Sequence, residues 1–130
     1  MKIEFSPIGF VRMDIERVPR HWTISDAEGT IVIDEQFREG LRDIQAGQRI
    51  VVLFYFHQSP CFTKDFLVQV PPQRAEHLGV FSICSPIRPN PLGMSVVEVL
   101  GVEGSIIRIK GLDMMDGTPV LDMKPYRERE

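Results

Sequence analysis

Along the chain, apolar residues fall in short stretches that glycine or proline soon interrupts. Phe5–Arg12 has this pattern and predicts a first strand, broken at Gly9. Thr30–Ile33 is a short β-branched run. Asp34 can then cap a helix that carries Phe37, Leu41 and Ile44 on one face, with Gly47 ending it. Gly40 lies inside that helix and weakens it by up to ~1 kcal/mol.

Arg49–His57 (RIVVLFYFH) is the strongest strand signal. It is apolar at both parities, as expected for a strand in the middle of a sheet or barrel wall. Phe66–Val70 predicts a strand stopped by Pro71-Pro72, and Val80–Cys84 predicts another. Ser95–Val102 and Ser105–Lys110 flank Glu103-Gly104, which reads as a two-residue hairpin turn. In the second arm Ile107 and Ile109 alternate with Arg108 and Lys110, so one face is wet. Val120–Met123 is a last short strand. Roughly seven or eight short strands and one short helix predict a mainly β fold, a small barrel or sandwich.

Composition narrows the picture. The chain has 130 residues, and that length is expected to form a single domain spanning 1–130. Ten glycines and ten prolines punctuate it throughout, which leaves little room for long helices. Fifteen Lys+Arg against eighteen Asp+Glu give a net charge of −3, which argues against a surface that grips polyanions everywhere but allows a local basic patch. The two cysteines, Cys61 and Cys84, have no zinc-ligand spacing, and no metal is expected. MKIEFSPIGF lacks the apolar run of a signal peptide, and no stretch reaches the length of a membrane span. A cytoplasmic protein with free thiols and no membrane partner is the expectation. Dinucleotide, Walker and lipase-type nucleophile motifs are absent from the sequence.

Three stretches carry candidate chemistry. In Ser85–Ser95 (SPIRPNPLGMS), prolines 86, 89 and 91 fix φ and push Ser85, Arg88 and Asn90 toward extended backbone. Arg88 is a planar five-donor fork and Asn90 both a donor and an acceptor, so a stiff loop presents polar groups suited to a preorganised site. The same stretch can also serve as a polyproline connector with Arg88 paired to an aspartate such as Asp122. In Gly111–Tyr126, Asp113, Asp116 and Asp122 precede Lys124 and Tyr126, and Asp116-Gly117 is a turn signal. The third stretch, Arg12–Trp22, mixes Arg12, Arg17, Arg20 and His21 with Asp14 and Glu16. It is read either as a surface loop or as a lid carrying Arg20, His21 and the only tryptophan. His57-Gln58 follows the strongest strand; His57 is either a structural group or a site residue.

Together these stretches resemble a known family. GVFSICSPIRPNPLGMS (Gly79–Ser95) and LDMMDGTPVLDMKPY (Leu112–Tyr126) are similar to the two signature segments of the TrmO/TsaA-like family. Ile8-Gly9-Phe10-Val11-Arg12 and Phe56-His57-Gln58 match its opening segment and a strand end. The likeness runs from about residue 6 to 127, and its long motifs stand in fixed order. It implies a small single-sheet β-barrel that binds S-adenosylmethionine (AdoMet), is homodimeric, and methylates N6 of N6-threonylcarbamoyladenosine at position 37 in the anticodon loop of tRNA.

The resemblance also implies a cofactor pocket built from Pro19, Arg20 and His21, from His57 and Gln58, from Phe81, Cys84 and Met94, and from the turn of Asp116, Gly117, Thr118 and Pro119. Arg88 and Asn90 are then substrate-side groups, and Asp113, Lys124 and Tyr126 are candidates for polarising the acceptor or removing its proton. Cys84 departs from the family, which usually carries an arginine there, and many bacterial members continue into a C-terminal domain. Both departures leave open a related methyl transfer to another RNA or small molecule, or AdoMet binding without catalysis.

Overall fold

The computed structural model describes residues 1–14 and 18–128. Arg17 of the cationic stretch and the last two residues of the charged C-terminal RERE lie outside the described residues.

Six strands close into an antiparallel barrel: β1 (Gly9–Arg12), β2 (Glu28–Ile33), β3 (Arg49–Tyr55), β6 (Leu92–Glu103), β7 (Ile106–Lys110) and β8 (Pro119–Pro125). Their order around the wall is β1-β2-β7-β6-β3-β8, and β8 pairs back onto β1 through Gly9–Val120 and Phe10–Pro119. Closure leaves the barrel without an open edge. A separate ribbon joins β4 (Val68–Gln69) to β5 (Leu78–Gly79). The fold is mainly β, as the periodicity predicts.

The period-2 pattern explains the interior. β7 buries Ile107 and Ile109 and exposes Ile106, Arg108 and Lys110. β3 buries Ile50, Val52 and Phe54, whose register partners on β6 are Val97, Ser95 and Gly93. Val11, Ile31, Ile33, Val99, Leu112 and Val120 also lie in the core. Each such aliphatic side chain contributes ~1.5–3 kcal/mol by leaving water. The hairpin between β6 and β7 turns at Gly104-Ser105, one position later than the sequence suggests, because Glu103 still pairs with Ile106. Gly104 has φ +62°, the left-handed conformation that such two-residue turns demand.

Three elements differ from the sequence expectation. The helix after Asp34 is present, but as a 3-10 helix over Glu35–Leu41 that buries only Leu41. Asp34 caps it, its carboxylate accepting from the Gln36 amide at 3.1 Å. The strand expected over Phe66–Val70 shrinks to Val68–Gln69. Val80–Cys84 is no strand at all: Val80–Ser82 form a 3-10 turn and Ile83 leads into the proline-rich loop. Val80 is buried, but Phe81 is 80% exposed. The apolar run therefore does not mark a strand.

Candidate functional site

The barrel wall ends on one side in three loops: the segment before β2, the turn after β3, and the proline-rich loop before β6. With residues 113–118 ahead of β8 they enclose an open cavity of about 690 Å³. That volume suits a small molecule or cofactor.

One wall is aromatic and apolar. Phe54 and Phe56 sit two residues apart on and just past β3, and their rings meet edge to face at 5.0 Å and 75°. Leu92, Met94 and Met115 add exposed apolar surface, and Trp22 closes from the side. Gly93 is required here, since an added Cβ would lie 2.3 Å from Phe54 Cζ. The phenylalanine ring therefore occupies the space of the missing side chain.

The opposite wall is polar. Asp113 is its most perturbed group. Burial pushes its carboxyl pKa up, while the Ser95 hydroxyl, the His21 imidazole and the Trp22 amide pull it back. Ser95 is fully buried on β6, and its Oγ donates to Asp113 Oδ1 at 2.5 Å. This bond joins two of the sequence's signature segments inside the molecule. His21 lies next to Trp22, with ring centroids 5.3 Å apart, and its Nδ1 accepts from the Thr23 amide at 3.3 Å.

Arg88 faces the same cavity, and its Nη1 donates to the carbonyls of Ile83 at 3.0 Å and Ser85 at 3.1 Å. Half of its fork thus curls the proline-rich loop into shape. Asp122 is not its partner: Asp122 pairs with Lys124 at 2.9 Å.

The structure gathers many of the sequence-selected residues. Pro19, Arg20 and His21, His57 and Gln58, and Cys84, Arg88, Met94, Asp113 and Thr118 all line the cavity. Others lie outside its lining. Phe81 points to solvent, and Asn90 sits on the exposed outer part of its loop. Asp116 accepts from the Met13 amide at 2.9 Å, and the Gly117 amide donates to the Val11 carbonyl at 2.8 Å. Those two residues fasten the turn to β1, with Gly117 at φ +82°, and Thr118 is the member of that turn that reaches the cavity. Pro119 is already strand, paired with Phe10. Tyr126 is covered by the Arg49 guanidinium, 4.6 Å from its ring centroid. Of the three candidate proton-handling groups, Asp113 alone is part of the cavity wall.

Sequence reasoning missed Phe54, Phe56 and Ser95 as site residues. The phenylalanines read as core, which Phe54 partly is. Ser95 carried one usable signal: it is the polar residue at an inward position of an otherwise apolar strand, so it needs a buried partner.

Comparison with known proteins agrees with the geometry. A family profile described as the tRNA-methyltransferase O N-terminal domain matches residues 12–129. A probable S-adenosyl-L-methionine-binding protein of Archaeoglobus fulgidus is 36% identical over 129 residues, covering 97% of this chain and 34% of its own length. The tRNA (adenine(37)-N6)-methyltransferase of Homo sapiens is 40% identical over 86 residues, covering 66% of this chain and 20% of its own length. The crystal structure of TrmO from Pseudomonas aeruginosa superposes with a TM-score of 0.76 at 34% identity, covering 98% of this chain and 57% of that one. The chain thus spans about a third of the first of these relatives and little more than half of the crystallised protein.

Proposed function

The chain belongs to the family of the tRNA-methyltransferase O N-terminal domain, and on that premise we propose that it is an AdoMet-dependent methyltransferase acting on N6 of N6-threonylcarbamoyladenosine at position 37 of tRNA. The observation that carries the reading is the convergence of Asp113, His21, His57, Arg88 and the Phe54–Phe56 pair on one cavity.

The residues present fit AdoMet. Its adenine and sulfonium suit a wall of aromatic rings and thioethers, here Phe54, Phe56, Trp22, Met94 and Met115. Its amino-acid head needs a cation and hydrogen-bond partners, and Arg88, His57 and Gln58 offer both. AdoMet supplies a methyl group already activated on a positive sulfur. The protein has to align the acceptor nitrogen behind it and keep water out.

The acceptor nitrogen belongs to a urea-like group and is a poor nucleophile, so its proton must leave as the new C–N bond forms. In this proposal Asp113 receives that proton. Burial makes its carboxylate a stronger base than an exposed aspartate, and Ser95 fixes its orientation. Arg88 shapes the loop that bounds the acceptor side.

A homodimer in the cytoplasm belongs to the same proposal. Leu67, Val68 and Phe81 give it exposed apolar surface to cover. A second reading keeps the cofactor and changes the acceptor. Cys84, standing in the cavity wall where the family carries arginine, and the net charge of −3 favour it.

The test is incubation with AdoMet and tRNA bearing threonylcarbamoyladenosine, followed by nucleoside mass analysis. One added methyl group on that nucleoside is the expected product. Stabilisation by AdoMet without that product points to the second reading. No stabilisation at saturating AdoMet overturns both.

A further inference from the structure

Next to the cavity just described lies a second cleft of about 640 Å³. The two share Arg20, His21, Ile83, Cys84 and Pro86, so they are separated only by a common wall. The far side of the cleft is the loop that follows β4, Val70 to Arg74.

That loop is held in a definite shape. Gln69 Nε2 donates to the carbonyls of Phe66 at 2.7 Å and Ile87 at 2.8 Å, which ties the ribbon to the proline-rich loop. The Arg74 amide closes a turn onto the Pro71 carbonyl at 3.2 Å. Within it Pro72 is preset for the first central position, but Gln73 takes φ +65° at the second, where glycine is usual. Among the described residues Gln73 is the only non-glycine with positive φ. Strain of this kind persists where the surrounding structure holds it, and such residues cluster at binding loops.

The cleft carries two guanidinium groups, Arg20 and Arg74, at its two sides. Both are exposed, and among the described residues neither has a carboxylate partner within ion-pair distance. Arg38, Arg42 and Arg49 each face an acid, and the other exposed arginines without one among the described residues, Arg12, Arg108 and Arg127, lie outside the cleft lining. On a chain of net negative charge, two forks with no acid partner among the described residues, beside the reaction cavity, form a local site for an anion.

The geometry points to this cleft as the seat of a phosphodiester next to the acceptor base, so that the RNA strand runs from the cleft between Arg20 and Arg74, past Cys84, into the methyl-transfer cavity. The inference rests on the RNA-methyltransferase reading and deepens it, since it assigns the strand's path. Phosphate recognition by guanidinium forks is independent of sequence and salt-sensitive.

Arg74→Ala tests it, with Arg42→Ala, an exposed arginine outside the cleft lining, as a control for charge alone. The probe is anticodon stem-loop RNA, titrated at several salt concentrations, alongside AdoMet titrations by calorimetry. Arg74→Ala is expected to weaken RNA binding about three- to tenfold and to flatten the plot of log K against log salt by roughly 0.7–0.9. AdoMet affinity should stay unchanged, and Arg74→Lys should keep the wild-type slope. Unchanged RNA affinity and slope in Arg74→Ala, with the parent protein binding RNA, overturns the cleft assignment and leaves the methyltransferase reading standing. Equal loss in Arg42→Ala also overturns it. A parent protein that binds AdoMet but no RNA overturns the RNA reading and the cleft together.

Discussion

Replacing Ser95 by alanine removes one hydroxyl from the interior and leaves Asp113 without its side-chain donor. Burial raises the Asp113 pKa in the folded chain, so the folded state takes up a proton more readily than the unfolded one. Protonation therefore stabilises the fold as pH falls, and that gain is lost as pH rises through the folded pKa. At neutral pH the charged form must be solvated from within, and Ser95 is the foremost of the groups that do so. Hydrogen bonds to charged groups contribute ~1.5–3 kcal/mol, and a carboxylate with one side on an open cavity recovers part of that from water. The net loss for Ser95→Ala is thus about 1–2 kcal/mol at pH 7. Below the ordinary aspartate range the raised carboxyl is neutral, and the same bond is worth nearer ~0.5–1.5 kcal/mol. Urea unfolding at pH 7 and at about pH 3, below the ordinary aspartate value, measures both, with an unchanged m-value as the check on the two-state assumption. The penalty should be larger at pH 7 than at acid pH. A penalty of equal size at both would show that Ser95 does not hold the Asp113 charge, and the polar half of the site would need another explanation.

Gly93→Ala drives a methyl group into the Phe54 ring and should cost ~1–3 kcal/mol in thermal or chemical unfolding. It should also weaken AdoMet binding, because the displaced ring lines the cavity; full stability would mean the ring moves freely aside. Arg88→Ala releases the Ile83 and Ser85 carbonyls and is expected to abolish turnover while circular dichroism still reports the barrel. An unfolded Arg88→Ala protein would show that the residue serves the fold alone. Cys84→Arg restores the family's cation at an exposed position, so stability should change by no more than about 0.5 kcal/mol and AdoMet should bind more tightly. Weaker binding in calorimetry would refute that.

The barrel was legible where one face is wet and the other dry. β7 follows its Ile-Arg-Ile-Lys alternation, and β3 and β6 follow long β-branched runs that meet in register. Val80–Cys84 misled because a short apolar run fits a buried strand and a tight turn equally well. What decides is whether a neighbour offers a backbone ladder, and here Val80 anchors a 3-10 turn instead. The cavity was legible only in part. The motif stretches named the loops that meet, but the Ser95–Asp113 bond is a tertiary contact that no local pattern announces. For the same reason Asp113, Lys124 and Tyr126 were equivalent on sequence, and only the closed barrel separates the carboxylate in the cavity from the lysine held by Asp122 and the tyrosine under Arg49. Phe54 and Phe56 were hidden because an inward aromatic at a barrel end serves core and ligand wall alike.

The most direct measurement is a crystal structure of this protein soaked with AdoMet. The account predicts density for the nucleoside between the Phe54–Phe56 pair and the Arg88 loop, with its methyl group open toward Asp113. Ordered AdoMet at any other place on the barrel, with that cavity filled only by solvent, would contradict it.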